Sequence, residues 1–172
     1  MPPAPRLDLP ELQRVNYFSG QLLTADDFVA EQTYHRERAR LHNRLLHGWG
    51  VVAGLDARSR AGVIVISPGM AFDPSGDEIV LLHEATLTPA AGTKGAPSLY
   101  VVVKYAESVA HATVNPVAPD EESVHTRVVP GASFELATAV PRAAGSGVAI
   151  ARLLWRTSQW RVDARYRHRR VS

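Results

Sequence analysis

At Gly48 the hydrophobic pattern of this chain changes period, and that switch limits the folds open to it. Upstream lies the one long stretch with helix chemistry. Thr24 is a good N-cap, Asp26 and Asp27 suit the positive end of a helix, and Thr24-x-x-Asp27 resembles a capping box. The spacing predicts a helix from about Ala25 to Leu46, stopped by a C-cap glycine at Gly48. Downstream, apolar runs are short, alternate with period two or are β-branched, and end at glycine or proline.

Those runs give a strand order. Trp49 to Leu55 and Gly62 to Ile66 read as strands; Met70-Ala71-Phe72 and Asp77 to Leu82 form a hairpin about Asp73-Pro74-Ser75-Gly76. A short strand follows at Thr86 to Thr88, then a loop over 89–98. Leu99 to Tyr105, aromatic and β-branched throughout, is the strongest strand signal. Two prolines and Asp120-Glu121-Glu122 make 106–123 a long exposed acidic loop. Val124 to Val129 and Ser133 to Ala139 can pair around Pro130-Gly131, and Val148 to Trp155 with Gln159 to Val162 around Thr157-Ser158. The expected architecture is mostly β with one N-terminal α-helix (α+β). It comprises an arm (1–24), a helix (25–47), an antiparallel β-sandwich or barrel-like domain (48–163) and a basic tail (164–172). Arg14 to Phe18 reads as a brief strand or anchored arm.

The helix has a modest stripe of Phe28, Gln32, His35, Leu41, Leu45 and Leu46. Arg36, Arg40 and Arg44 repeat at i+4 on another face and repel one another unless acidic groups face them. They form either a solvated face or a surface packed on an acidic partner. The net charge of +2 is unevenly spread: residues 1–150 hold twelve Lys/Arg against sixteen Asp/Glu, residues 151–172 seven Arg against Asp163 alone. Arg165, Arg167, Arg169 and Arg170 close the chain. Such a tail suits an acidic neighbour, including another copy; nucleic acid is the weaker reading because the body is acidic.

Enzyme signatures are sparse. With no cysteine, thiolate nucleophiles, disulfides and Cys-based zinc sites are excluded. His35 and His42 are seven apart, about 10 Å along a helix, too far to chelate one ion unaided, and His47 follows at the helix end. Asp26 and Asp27 are explained by the helix start, Asp73, Asp77 and Glu78 by turn chemistry, and neither a nucleophile elbow nor a phosphate loop occurs. No catalytic residue, cofactor or metal is expected. No apolar run approaches the ~20 residues of a membrane span, and Met-Pro-Pro-Ala-Pro is unlike a secretory signal, so assembly in the cytoplasm is expected.

Three stretches carry a resemblance. They are Asn16-Tyr17-Phe18-Ser19-Gly20-Gln21-Leu22-Leu23-Thr24-Ala25-Asp26-Asp27-Phe28 with Glu31-Gln32-x-Tyr34; His42-Asn43-Arg44-Leu45-Leu46-His47-Gly48-Trp49-Gly50-Val51-Val52-x-Gly54-Leu55; and Ser67-Pro68-Gly69-Met70-Ala71-Phe72-Asp73-x-x-Gly76-x-Glu78-Ile79. Together they resemble proteins of phage tails and phage-tail-like contractile injection systems, with Ile150-Ala151-Arg152-Leu153-x-Trp155 and Trp160-x-Val162-Asp163 matching the closing hairpin more loosely. The resemblance implies a non-enzymatic structural component near the baseplate, spike or fibre attachment. It would bind other tail, baseplate or spike subunits, and copies of itself as a ring or trimer. The residues expected to bind partners are Tyr17, Phe18, Leu22 and Leu23 of the arm, Arg36, Arg40 and Arg44 of the helix, and Arg165, Arg167, Arg169 and Arg170 of the tail. A carbohydrate- or receptor-binding module at a fibre tip is the alternative, with Tyr105, Tyr166, Trp155 and Trp160 as its platform.

Overall fold

The computed structural model describes residues 9, 11–89, 98–114 and 124–171. Helix α1 (Ala25–His42) runs into a π-helical turn (Asn43–His47), and Gly48 ends it at φ 72°. Among the described residues ten strands follow: β1 (Gly50–Gly54), β2 (Ala57–Arg60), β3 (Val63–Ile66), β4 (Gly69–Phe72), β5 (Glu78–Leu81), β6 (Ala85–Leu87), β7 (Ser98–Thr113), β8 (Val124–Ala137), β9 (Val148–Arg156) and β10 (Gln159–Val162). The expected α+β class, mostly antiparallel strand after one N-terminal helix, is what the chain adopts, and its sheets include a half-barrel.

The described strands form three antiparallel sheets, in the orders β1-β4-β5, β2-β3-β6 and β10-β9-β7-β8. Their inner faces share one core of Val51, Leu55, Ile64, Ile66, Ile79, Leu99, Val101, Val103, Val148, Ile150, Leu153 and Trp160. The Val-Ile-Val-Ile run of β3 has three consecutive buried residues, Ile64, Val65 and Ile66, as suits a central strand enclosed on both faces. The hairpins at 73–77 and 157–158 form as expected. Thr157 and Ser158 both take positive φ, the backbone that matches a two-residue turn to strand twist.

Two expectations are corrected. β7 continues to Thr113, so residues 106–113 are strand and not the start of a loop; the prolines and the acidic cluster fall in 115–123, outside the described residues. β8 runs unbroken through Pro130-Gly131, which face Glu107 and Ala106 of β7 instead of turning. β8 is an edge strand, where a missing N–H leaves no neighbour unpaired. Arg14 to Phe18 is irregular, consistent with the arm reading rather than a strand.

The tail also differs from a free extension. Val51 N–H donates to the Arg169 carbonyl at 2.8 Å and Val171 N–H to the Val51 carbonyl at 3.1 Å, a parallel bridge along β1. Gly50 makes room for it: at φ 139°, a Cβ there would lie 2.7 Å from the Arg169 carbonyl oxygen. None of the helices among the described residues is long and apolar enough to cross a membrane.

Candidate interaction surface

The arm approaches the helix through a turn at Gly20, φ 88°, closed by a Gln21 N–H bond to the Phe18 carbonyl at 3.2 Å. Thr24 is extended, and the Asp27 carboxylate accepts from its N–H at 2.8 Å and its hydroxyl at 2.9 Å. The backbone bond from Thr24, and then the hydroxyl bond, hold Asp27 below the ordinary carboxylate pKa. The cap therefore fixes where the arm ends and the helix begins.

The helix meets the sheets by polar contact. Arg40 Nε donates to Asp77 Oδ1 at 2.6 Å and its Nη1 to Glu37 Oε1 at 2.6 Å. Arg36 pairs with Glu107 at 3.5 Å. Asn43, buried in the π-helical turn, donates from Nδ2 to the Gly76 carbonyl at 3.0 Å and to Glu78 Oε1 at 3.3 Å. Gly76, φ 91°, lies against the Arg40 carbonyl so closely that a Cβ would collide with it. Buried Asp73 builds this turn, accepting at Oδ1 from Ser75 N–H and Asp77 N–H, both at 2.9 Å. Burial pushes the Asp73 carboxyl above its usual pKa despite those bonds.

The apolar side of the helix stays uncovered. No residue of α1 is buried, so its modest stripe joins no core. Gln32 and His35 interrupt it, and the polar contacts with the 73–78 turn orient the helix instead. Phe28, Val29, Leu45 and Leu46 remain exposed, as do Tyr17, Phe18, Leu22 and Leu23 of the arm, Leu22 to 85%. Between α1 and the β7–β8 ribbon runs a groove of about 450 Å³, lined by Ala39, Val80, Val128 and Pro130 beside Arg36 and Glu107.

The arginines divide into groups. The acidic groups facing Arg36 and Arg40 belong to this chain's own sheets and helix, and Arg36 and Arg44 are both solvent-exposed. Arg169 lies 4.4 Å over the Trp49 ring and donates from Nε to the Trp49 carbonyl at 2.8 Å. Arg167 donates to the carbonyls of Ala164 and Tyr166, and Arg165 N–H to Asp163 Oδ1 at 3.0 Å. Arg170 sits beside Val51, its side chain exposed. Sequence reasoning missed Asn43, Gly76, Asp77 and Glu107 as docking residues. An Asn directly after a helix and a Gly-Asp pair at a turn are their only local signals.

The other candidate groups are drawn into the fold. Trp160 is 4% exposed and edge-packed on half-buried Trp155, with ring centroids 5.3 Å apart. Tyr166 donates to the Ala149 carbonyl at 3.4 Å, and Tyr105 to Glu107 at 2.6 Å. The four aromatics thus form no open platform. His42 and His47 come together, Nε2 to Nε2 3.3 Å, while His35 sits beside Glu31; among the described residues no set of three His, Asp or Glu side chains is placed to hold a metal.

No protein-family model matches the sequence, and no curated protein is significantly similar to it. Solved structures do share the fold. A chain of the TssK-TssF-TssG baseplate subcomplex of the type VI secretion system, seen by cryo-electron microscopy, aligns at TM-score 0.60 and 14% identity, covering 92% of this chain and 62% of its own. A chain of the type VI secretion system baseplate complex aligns at TM-score 0.60 and 14% identity over 92% of this chain and 60% of its own. The crystal structure of TssK aligns at TM-score 0.56 and 18% identity, over 88% of this chain and 40% of its own. This chain therefore spans about three fifths or less of those chains' lengths.

Proposed function

We propose that this protein is a non-enzymatic structural subunit of a contractile injection system, positioned at the baseplate and binding neighbouring subunits through its arm and helix. The observation that carries this reading is the set of exposed apolar side chains Tyr17, Phe18, Leu22, Leu23, Phe28, Val29, Leu45 and Leu46, on an arm and helix anchored by the Arg40–Asp77 and Asn43–Gly76 contacts. Apolar side chains this numerous on one extension are a docking surface rather than surface noise. The fold shared with type VI baseplate chains, and the sequence resemblance to tail-like particles, agree with it. The tail arginines are secondary here, because Arg169 is already committed to Trp49.

The test is assembly. Particles isolated from cells producing the full chain should contain this protein, and deletion of residues 1–24 should remove it while the purified variant keeps its β-rich circular dichroism. A deletion variant that enters particles at the normal level would overturn the reading. The fibre-tip alternative has no observation in its favour, since Trp160 is in the core.

A further inference from the structure

The two ends of β7 carry opposite charge. At its far end β7 closes on β8 through the pair Thr113 and Val124. The ten residues joining them hold Asp120-Glu121-Glu122, the one run of three acidic residues in the sequence, and neither Lys nor Arg. At the near end lies a cluster of arginines. Leu154 of β9 pairs with Ser98 of β7 and with Arg161 of β10, so Arg161 stands level with the start of β7. Arg161 alternates with Trp160 and Val162 of the core and faces outward, as Arg156 does one step from Trp155. β2 adjoins β10 where Ser59 Oγ accepts from Val162 N–H at 2.7 Å. Arg58 and Arg60 flank that serine on the side opposite Ala57, which packs against the core.

We infer that the acidic segment 120–122 of one copy docks on Arg58, Arg60, Arg156 and Arg161 of a second copy, joining chains head to tail. This contact uses neither the arm nor the helix and does not rest on the docking proposed above. All four arginines are exposed. Arg58 approaches Glu84 only to 4.0 Å, and among the described residues no carboxylate pairs with Arg60, Arg156 or Arg161. The helix is the poorer host: Arg36 and Arg40 meet carboxylates of their own chain, and Arg38 donates to the Tyr34 hydroxyl at 3.4 Å. Distance excludes the cluster of the same copy. β7 is 16 residues long, about 50 Å, and a ten-residue loop reaches back at most about 17 Å from its tip. Opposite charges at opposite ends of one rigid strand are thus satisfied between copies and not within one. Such a contact between unlike patches extends to a ring wherever the rotation between copies closes.

Two charge-reversed full chains test this. One carries Asp120→Arg, Glu121→Arg and Glu122→Arg; the other carries Arg60→Glu, Arg156→Glu and Arg161→Glu. Every position in the second set is exposed, and both variants should keep the wild-type circular dichroism. Sedimentation should show wild-type self-association that weakens as salt is raised, and each variant alone should associate about tenfold or more weakly than wild type. Mixing the two variants should restore association, because opposite charges then meet at both ends. A monomeric wild type, or a mixture no stronger than its separate components, would overturn the contact. So would a loss confined to the acidic-run variant, since that result places the run on a different surface.

Discussion

Arg40 Nε lies 2.6 Å from Asp77 Oδ1, and the carbonyl of the same arginine rests against Gly76. One helical residue thus grips a single β-turn with its side chain and its backbone. This grip, more than any apolar contact, sets how the helix leaves the β-domain.

Breaking it should free the helix without unfolding the sheets. Asp77→Ala removes a charge-assisted pair whose side chains are 30% and 17% exposed, a loss of about 1 kcal/mol after solvent screening. Gly76→Ala adds positive-φ strain and a collision with Arg40, about 2 kcal/mol or more. In both variants, amide exchange should quicken in residues 36–47 and stay slow in β3 and β9; unchanged protection would refute the anchoring role.

The tail is expected to stabilise the chain that carries it. Arg169→Ala loses the stacking on Trp49 and the bond to its carbonyl, about 1 kcal/mol, and Arg169→Lys should restore only part because the planar guanidinium is gone. Urea denaturation checks this. An unaltered midpoint in Arg169→Ala would return the arginine to the pool of partner-binding candidates.

Asp73 should make stability fall as pH rises. Burial lifts its folded pKa above 3.8, so the native state holds this proton more tightly than the unfolded chain. The contribution is fully present below the unfolded pKa and is lost as pH climbs through the folded one. Asp73→Asn keeps an Oδ1 acceptor and does not titrate. Between pH 3 and pH 7 the wild type should lose denaturation free energy relative to this variant; a relative gain would contradict the assignment.

Tyr105 behaves alike at alkaline pH. Burial, then the hydrogen bond to Glu107, pushes its phenol up from 10.0 to about 12. The difference in absorbance titration between wild type and Tyr105→Phe should show a phenol ionising near 12, moved downward by Glu107→Gln. From pH 10 to 12 the wild type should lose stability relative to Tyr105→Phe. Ionisation near 10 would mean that the Tyr105–Glu107 bond is not made.

Much of the architecture could be read locally. The Thr24–Asp27 cap, the glycine stop at Gly48, and the hairpins at 73–77 and 157–158 depend on residues a few positions apart. Pro130-Gly131 misled because turn chemistry is also edge-strand chemistry; only a strand's place in its sheet separates the two. Of the expected partner-binding residues, the arm's Tyr17, Phe18, Leu22 and Leu23 lie exposed, whereas Arg36 and Arg40 meet carboxylates of their own chain.

The amino-acid order by itself determined a capped helix followed by antiparallel strands, though not the length of β7 and β8, since capping, turn propensity and periodicity act within a few residues. The tertiary structure alone decided which side of that helix meets the sheets and where the last arginines lie. Arg40 and Asp77 are 37 residues apart and Arg169 and Trp49 are 120 apart. Pairs so distant are brought together only by the order of strands in the sheets, and no local pattern encodes that order.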